Sequence, residues 1–261
     1  MKIGVSITVQ KNTVSQVAII TGAGQGLGLA IAENFLLEGK RVVFVDVNEQ
    51  LLNEVKTSEL VSQYDFSKTM FIAMDVSNVN AIKESVQTIV EHWGRIDILV
   101  NNAGVRKETS VEDITEEEWN LILSVNLGGT FFYSQAVLDT MKRQKSGRII
   151  NISSFGGQAG PLSSGAHYCA SKAGQLVLTK SFARSLAGQG ITVNAVAPAA
   201  IQTPEMDTIE PGKLKNMKES IPVQRFGEAE EVANMVSYLA SDAAGYITGS
   251  TFDINGGLFM R

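Results

Sequence analysis

"QVAIITGAGQGLGLAIAENFLLEGKRVVFVD", residues 16–46, reads as a complete strand–loop–helix–strand unit. A short β-branched run at 16–21 ends in glycines, residues 27–39 carry apolar side chains at helical spacing and stop at Gly39, and 41–46 is a second apolar run. The loop between strand and helix is "TGAGQGLG", residues 21–28. In a chain with 24 glycines a glycine-rich match alone decides little. Its place, directly after a strand and opening a helix, decides more. Gly22 permits a tight turn, Gly26 and Gly28 let backbone and helix approach a pyrophosphate, and the helix N-terminus offers free N–H groups and positive potential. The bland reading is a tight strand-to-helix turn.

Asp46 ends the second strand, eighteen residues after Gly28. A carboxylate there accepts the hydroxyls of an adenosine ribose and repels a 2′-phosphate. Val47 is neutral, Gln25 supplies no cation, and Arg41 lies at the wrong end of the strand. The expected cofactor is therefore NAD rather than NADP; the competing reading of Asp46 is a helix cap.

Outward from this unit the alternation continues. A polar helix is expected to about residue 64, then a strand at 71–75, a helix over 79–93, a strand at 96–102, a long helix over 115–141 and a strand at 148–153. A helix from about 168 to 187, a strand at 191–197, a helix over 228–239 and a last strand, "STFDIN", complete the pattern. Strands apolar throughout, alternating with helices, mean a parallel sheet covered on both faces. The expectation is α/β: a single doubly wound Rossmann-type domain over 16–261, with a parallel seven-stranded sheet flanked by helices. Residues 1–15 are set apart as an N-terminal extension. The polar, Pro-containing stretch 198–222 is too long for a mere connection and is assigned as a lid.

The bulk properties narrow the function classes. The chain has 261 residues, 44% hydrophobic and 19% charged, with net charge −5 and no block of like charge. That balance gives no footprint for nucleic acid or a membrane surface. One cysteine, Cys169, and two histidines, His92 and His167, leave no expected metal site. With no signal-peptide pattern and no run near the roughly 20 apolar residues of a membrane span, a cytoplasmic protein is expected.

"HYCASKAG", residues 167–174, places Tyr168 four residues before Lys172, on one helix face. "YDFSK" repeats that spacing with Tyr64 and Lys68, so spacing alone selects neither pair. Context does: Tyr168 follows "INISS", the end of the fifth strand, and strand ends line the ligand crevice of a doubly wound sheet. Free tyrosine, with a pKa of about 10, is too weakly acidic to be a base at neutral pH. A lysine ammonium and a nicotinamide cation beside it favour the phenolate, which can take or return an alcohol proton.

The spacing Gly22-x-x-x-Gly26-x-Gly28, "NNAG" at 101–104 and Tyr168-x-x-x-Lys172 together resemble the short-chain dehydrogenase/reductase family, in its 3-oxoacyl carrier-protein reductase-like branch. The resemblance runs from about 17 to 257. It implies Tyr168 as acid/base, Lys172 as partner of the tyrosine and the nicotinamide ribose, Ser154 as holder of the substrate oxygen, and Asn126 as the end of a proton relay through water. Ser153 is the alternative serine. Cofactor contacts would come from Gly22, Gln25, Gly26, Leu27 and Gly28 in the glycine loop, and from Asp46. Asp75 and Val76 would lie by the adenine, and Asn102, Ala103 and Gly104 would support the pocket. Pro198, Ile201 and Thr203 would sit near the nicotinamide, with Tyr168 and Lys172 at its ribose. Ser154, Arg106 and His167 are the substrate-contact candidates; the bland readings are an exposed loop charge for Arg106 and a satisfied polar residue for His167. The resemblance further implies a homotetramer, with the helices near 115–141 and 168–187 between subunits.

Three departures stand out. The Ser154–Tyr168 spacing is one residue longer than the family's usual, "PAA" at 198–200 replaces Pro-Gly, and the end reads "DINGG". Three functions stay open. The first is NAD(H)-dependent interconversion of a secondary alcohol and a ketone on a small polar hydroxy compound (a sugar, polyol or hydroxy acid). The second is a 3-oxoacyl-[acyl-carrier-protein] reductase, and the third a catalytically silent NAD-binding protein. The first is preferred because carrier-protein reductases of this branch place bases at the ends of both interface helices. Here Lys145 meets that pattern, Gln189 does not, and the lid is electrically mixed.

Overall fold

The computed structural model describes residues 15–64, 66–160, 164–204, 206 and 209–260. Most of the expected N-terminal extension, 1–14, lies outside them. One sheet of seven parallel strands organises the chain, in the order β3-β2-β1-β4-β5-β6-β7. β1 (Val17–Thr21) leads through the glycine loop into α1 (Gly26–Leu37), then β2 (Arg41–Asp46), α2 (Glu49–Thr57), α3 (Glu59–Ser62), β3 (Thr69–Ala73) and α4 (Val79–Trp93). The chain then crosses to the other side of β1 with β4 (Ile98–Asn101), α5 (Glu116–Leu123), α6 (Thr130–Gln144) and β5 (Gly147–Ile152). The short α7 (Gly156–Ala159), α8 (Ala166–Leu186), β6 (Ile191–Pro198), α9 (Pro211–Ser220), α10 (Ala229–Ala240) and β7 (Thr251–Ile254) follow. The reversal of strand order between β1 and β4 opens a crevice at the carboxyl ends of the strands, and that crevice holds the candidate site.

Period-two alternation splits the core in two. Ala18 and Ile20 of β1 face a cluster with Phe35, Phe44 and Leu239, whereas Val17 and Ile19 face one with Ile89, Tyr133 and Met141. Tyr133 is fully buried against Ser85, and desolvation pushes its phenol up to about 12.

A buried hydrogen-bond chain runs beneath the site. Asn101 Nδ2 donates to Ser134 Oγ (3.0 Å) and Asn151 Oδ1 (2.9 Å), and Asn151 Nδ2 donates to Thr179 Oγ1 (2.9 Å). Thr179 Oγ1 donates to the Gln175 carbonyl (2.8 Å), and Gln175 Nε2 donates to the Asn126 carbonyl (2.9 Å) and Thr130 Oγ1 (2.7 Å).

Four expectations need correction. The helix expected to run to about 64 breaks at Ser58, whose hydroxyl caps α3 by accepting from Val61 N (3.3 Å); serine competes with helix continuation in this way. The third strand begins at Thr69, because Thr69 and Met70 pair with Val42 and Val43. The helix expected over 115–141 is three pieces, with a π-helical turn at Ser124–Gly129 between α5 and α6. Together they form a run of 29 residues that is apolar and long enough by composition to cross a membrane, although it packs here on α4, β4, β5 and α8. The 198–222 stretch contains α9, started by Glu210, whose carboxylate accepts from Gly212 N and Lys213 N, with Pro211 in the first turn.

Candidate active site

The glycine loop is stitched to the end of β4. Thr21 Oγ1 accepts the amides of Asn102 and Ala103 (3.0 Å each), and Asn102 Nδ2 donates to the carbonyls of Thr21 (2.9 Å) and Gly22 (3.1 Å). At Gly28 a Cβ would stand 2.0 Å from the Gly22 carbonyl oxygen, so only glycine lets α1 pack this close to β1. Gly26 has φ +56, open to glycine and costly for other residues. Gln25 opens α1 with no side-chain cap, and no acid stands in the first turn. The first-turn amides therefore present unneutralised positive potential to the crevice, which suits a pyrophosphate.

Asp46 stands beside this loop. Its Oδ2 accepts from Gly24 N (2.8 Å) and its Oδ1 from Asn48 N (2.9 Å). A carboxylate has about four acceptor positions, so two remain for donors such as ribose hydroxyls. Val47 is exposed, and Arg41 lies at the far end of β2 with its guanidinium 5.9 Å from the Trp93 ring centroid. Asp75 is exposed and accepts from Ser77 N (2.8 Å); Val76 is buried and would be 3.0 Å from a Cβ at Gly129.

The Tyr168–Lys172 pair lies in the first turns of α8. Lys172 is 4% exposed, its Nζ donates to the Ile152 carbonyl (2.7 Å), and it lies 5.8 Å from the Tyr168 ring centroid. Desolvation pulls its pKa down to about 8. Ser154 Oγ accepts from Gly156 N (3.1 Å). Ser153, the alternative serine, is buried and donates to the Lys172 carbonyl (2.8 Å), which makes it a brace for α8. Tyr64, by contrast, packs at the edge of the core after α3, in no common helix with Lys68.

Asn126 occupies the π-helical turn and is fully buried. Its Oδ1 accepts from Val105 N (2.8 Å), while Nδ2 donates to the Val105 carbonyl (3.0 Å) and Ser171 Oγ (3.0 Å). The side chain thus locks the loop after β4 onto α8. A Cβ at Gly104 would lie 3.3 Å from Asn126 Oδ1 and 3.5 Å from Lys172 Nζ, so the glycine permits this approach.

A cavity of about 620 Å³ gathers Ser154, Tyr168, Lys172, Asn102 and Gly104 with Pro198, Ile201 and Thr203. The 198–222 stretch lines it with both apolar and polar residues, Met206, Met217 and Ile221 beside Lys213, Asn216 and Ser220, and Leu258 adds apolar surface. Arg106 lines it too, paired with Glu108 (2.6 Å). His167 does not reach it: the ring is fully buried, and Nε2 bonds Glu118 Oε1 at 2.8 Å. The cause is helical phase, since Tyr168 faces the crevice and its neighbour turns toward α5. Cys169 is buried, and desolvation raises its thiol pKa. Sequence reasoning missed Gln175, Glu108 and Lys213. A glutamine at an otherwise buried helix position is a weak signal for the first. Nothing local marks the other two, which meet across 105 residues of chain.

A family model described as enoyl-(acyl carrier protein) reductase matches residues 22–259. The 3-oxoacyl-[acyl-carrier-protein] reductase FabG of Staphylococcus epidermidis is 40% identical over 248 residues, covering 93% of this chain and 98% of that protein. The reductase of the same name from Thermotoga maritima is 39% identical over 246 residues (94% and 98%). That from Escherichia coli is 36% identical over 249 residues (95% and 99%).

Proposed function

The chain belongs to the short-chain dehydrogenase/reductase family, resembling its 3-oxoacyl carrier-protein reductases, and we propose that it reduces 3-oxoacyl thioesters to 3-hydroxyacyl thioesters with NADH. The observation that carries this reading is the cavity in which Ser154, Tyr168 and Lys172 meet, with Met206, Met217, Ile221 and Leu258 as apolar surface for an acyl chain. The relatives' names add the acyl class. This replaces the small polar hydroxy compound preferred from sequence.

In this reading Ser154 donates a hydrogen bond to the substrate carbonyl oxygen, and the Tyr168 phenol gives its proton to the alkoxide that forms there. Lys172 stabilises the phenolate left behind and holds the nicotinamide ribose. Asn126 keeps the Val105 loop and α8 in register by its three side-chain bonds. When bound, the nicotinamide supplies the hydride. Asp46, with acceptor capacity left and no cation beside it in sequence, favours the free ribose of NADH.

A second reading, oxidation of a sugar, polyol or hydroxy acid, is favoured by the charge pattern. Gln189 stands in the turn just after α8, and the lid sequence sets Glu205, Asp207, Glu210 and Glu219 against Lys213, Lys215 and Lys218. A surface for an acidic carrier should be net positive. Specificity constants for a 3-oxoacyl group on carrier protein, on a short thioester, and for a polyol panel with NAD⁺ separate the two. Turnover of polyols alone rejects the thioester reading. A cytoplasmic homotetramer completes the proposal; Trp119, Leu121, Phe132 and Val177, exposed on the expected interface helices, support the assembly.

A further inference from the structure

Two cations line the cavity, and one carboxylate holds both. Arg106, in the loop after β4, bonds Glu108 Oε1 through Nη2 at 2.6 Å. Lys213, in the first turn of α9, bonds Glu108 Oε2 through Nζ at 2.6 Å. Arg106 and Lys213 both line the cavity, whereas Glu108 does not. The bridge is a direct tie between the loop and the lid helix, and it binds each cation through a separate oxygen of one anion. The side chains of Arg106, Glu108 and Lys213 are 26%, 45% and 43% exposed, against 4% for the whole residue Lys172. The cluster is thus more open to solvent than Lys172.

We infer that Arg106 and Lys213 form a subsite for the phosphate of a phosphopantetheine thioester, with Glu108 as its internal stand-in. The inference rests on the thioester reading above. A phosphate oxyanion offers several acceptor oxygens to a guanidinium fork and an ammonium at once, as the Glu108 carboxylate does here, and carries more charge. An exposed carboxylate bridge is weak enough to be displaced. The phosphate is the anionic group of such a thioester, so it is the part of the substrate that a pair of cations on the cavity lining would hold. Carrier-bound and coenzyme A thioesters share this phosphate, so both satisfy the chemistry.

The test compares kcat/KM for acetoacetyl-phosphopantetheine with that for acetoacetyl-pantetheine, which differs only by the phosphate. Wild type should favour the phosphorylated form by about tenfold, mainly through KM, corresponding to about 1.4 kcal/mol. Lys213→Met and Arg106→Met should each bring the ratio toward one, and because the two substrates share every other contact, losses of folded protein cancel. Glu108→Gln should raise the ratio by removing the anion that holds Lys213. High salt should lower it. Carrier-bound and coenzyme A substrates, run in parallel, show which source is preferred. A wild-type ratio near one, or a ratio unchanged in Lys213→Met, overturns the subsite while leaving thioester reduction standing. If neither thioester is reduced, both fall.

Discussion

Asp46 Oδ2 accepts the amide hydrogen of Gly24 at 2.8 Å, so the acid that ends β2 is also a strut of the glycine loop. Two effects should therefore separate on mutation. NADH should bind wild type at least about tenfold more tightly than NADPH, a difference of about 1.4 kcal/mol. Asp46→Ala combined with Val47→Arg should reverse the order. Asp46→Ala alone should also lower stability by about 1 kcal/mol, because Gly24 N loses its partner. Fluorescence titration with both reduced cofactors and thermal melts read the two effects; equal or tighter NADPH binding to wild type removes the cofactor assignment.

The duplicated Tyr-x-x-x-Lys spacing supplies an internal control. Tyr168→Phe should cut turnover by at least about 100-fold, the range of acid–base contributions, with NADH affinity near wild type. Tyr64→Phe should leave turnover unchanged, since Tyr64 only packs at the core edge. Loss of activity in the Tyr64 variant with retention in the Tyr168 variant would reverse the alignment of the whole site.

Lys172 gives a pH prediction. Its folded-state pKa of about 8 lies below the ordinary 10.5, through burial. Between those pH values the unfolded chain holds a proton on Lys172 that the folded chain has released, so stability rises with pH across the window. The contribution is lost as pH falls through about 8. Urea unfolding of cofactor-free wild type and Lys172→Met should show their stability difference shifting toward wild type from about pH 8 to 10.5. The shift is at most about 3 kcal/mol by linkage. A flat difference contradicts it.

At Gly28 the clash is with backbone, which has little room to yield. Gly28→Ala should cost about 1–3 kcal/mol, or several degrees of melting temperature at about 2–4 °C per kcal/mol for a chain of this size. It should also weaken NADH binding, because the adjustment displaces the start of α1. Wild-type melting and affinity would mean that the β1–α1 packing is looser than the geometry allows.

Much of this architecture was legible from residues 16–46, because strand, glycine turn and helix are each written locally by β-branching, glycine and apolar spacing. The meeting of Ser154 and Tyr168 in one cavity was legible in part from position, since both come after the fifth strand, and in part from the family resemblance. The breaks were harder. Ser58 ends a helix through its own side chain against a polar background, and the π turn at 124–129 adds a residue per turn without changing the apolar pattern. His167 was misplaced because sequence proximity to Tyr168 says nothing of helical phase. The Glu108–Lys213 contact joins segments that only tertiary folding brings together.

The buried chain from Asn101 through Asn151, Thr179 and Gln175 to Asn126 has a consequence for how such a sequence can diverge. Exchanging one side-chain member for a hydrocarbon strands its neighbour's polar atoms in a dry interior, at about 1–3 kcal/mol, whereas exchanging matched partners together costs little. Asn101, Asn151 and Thr179, which are joined side chain to side chain, are therefore expected to drift as a block. An inherited change at Asn151 should come with changes at Asn101 and Thr179, and a protein engineer who borrows one of these residues from a relative should borrow its partners too.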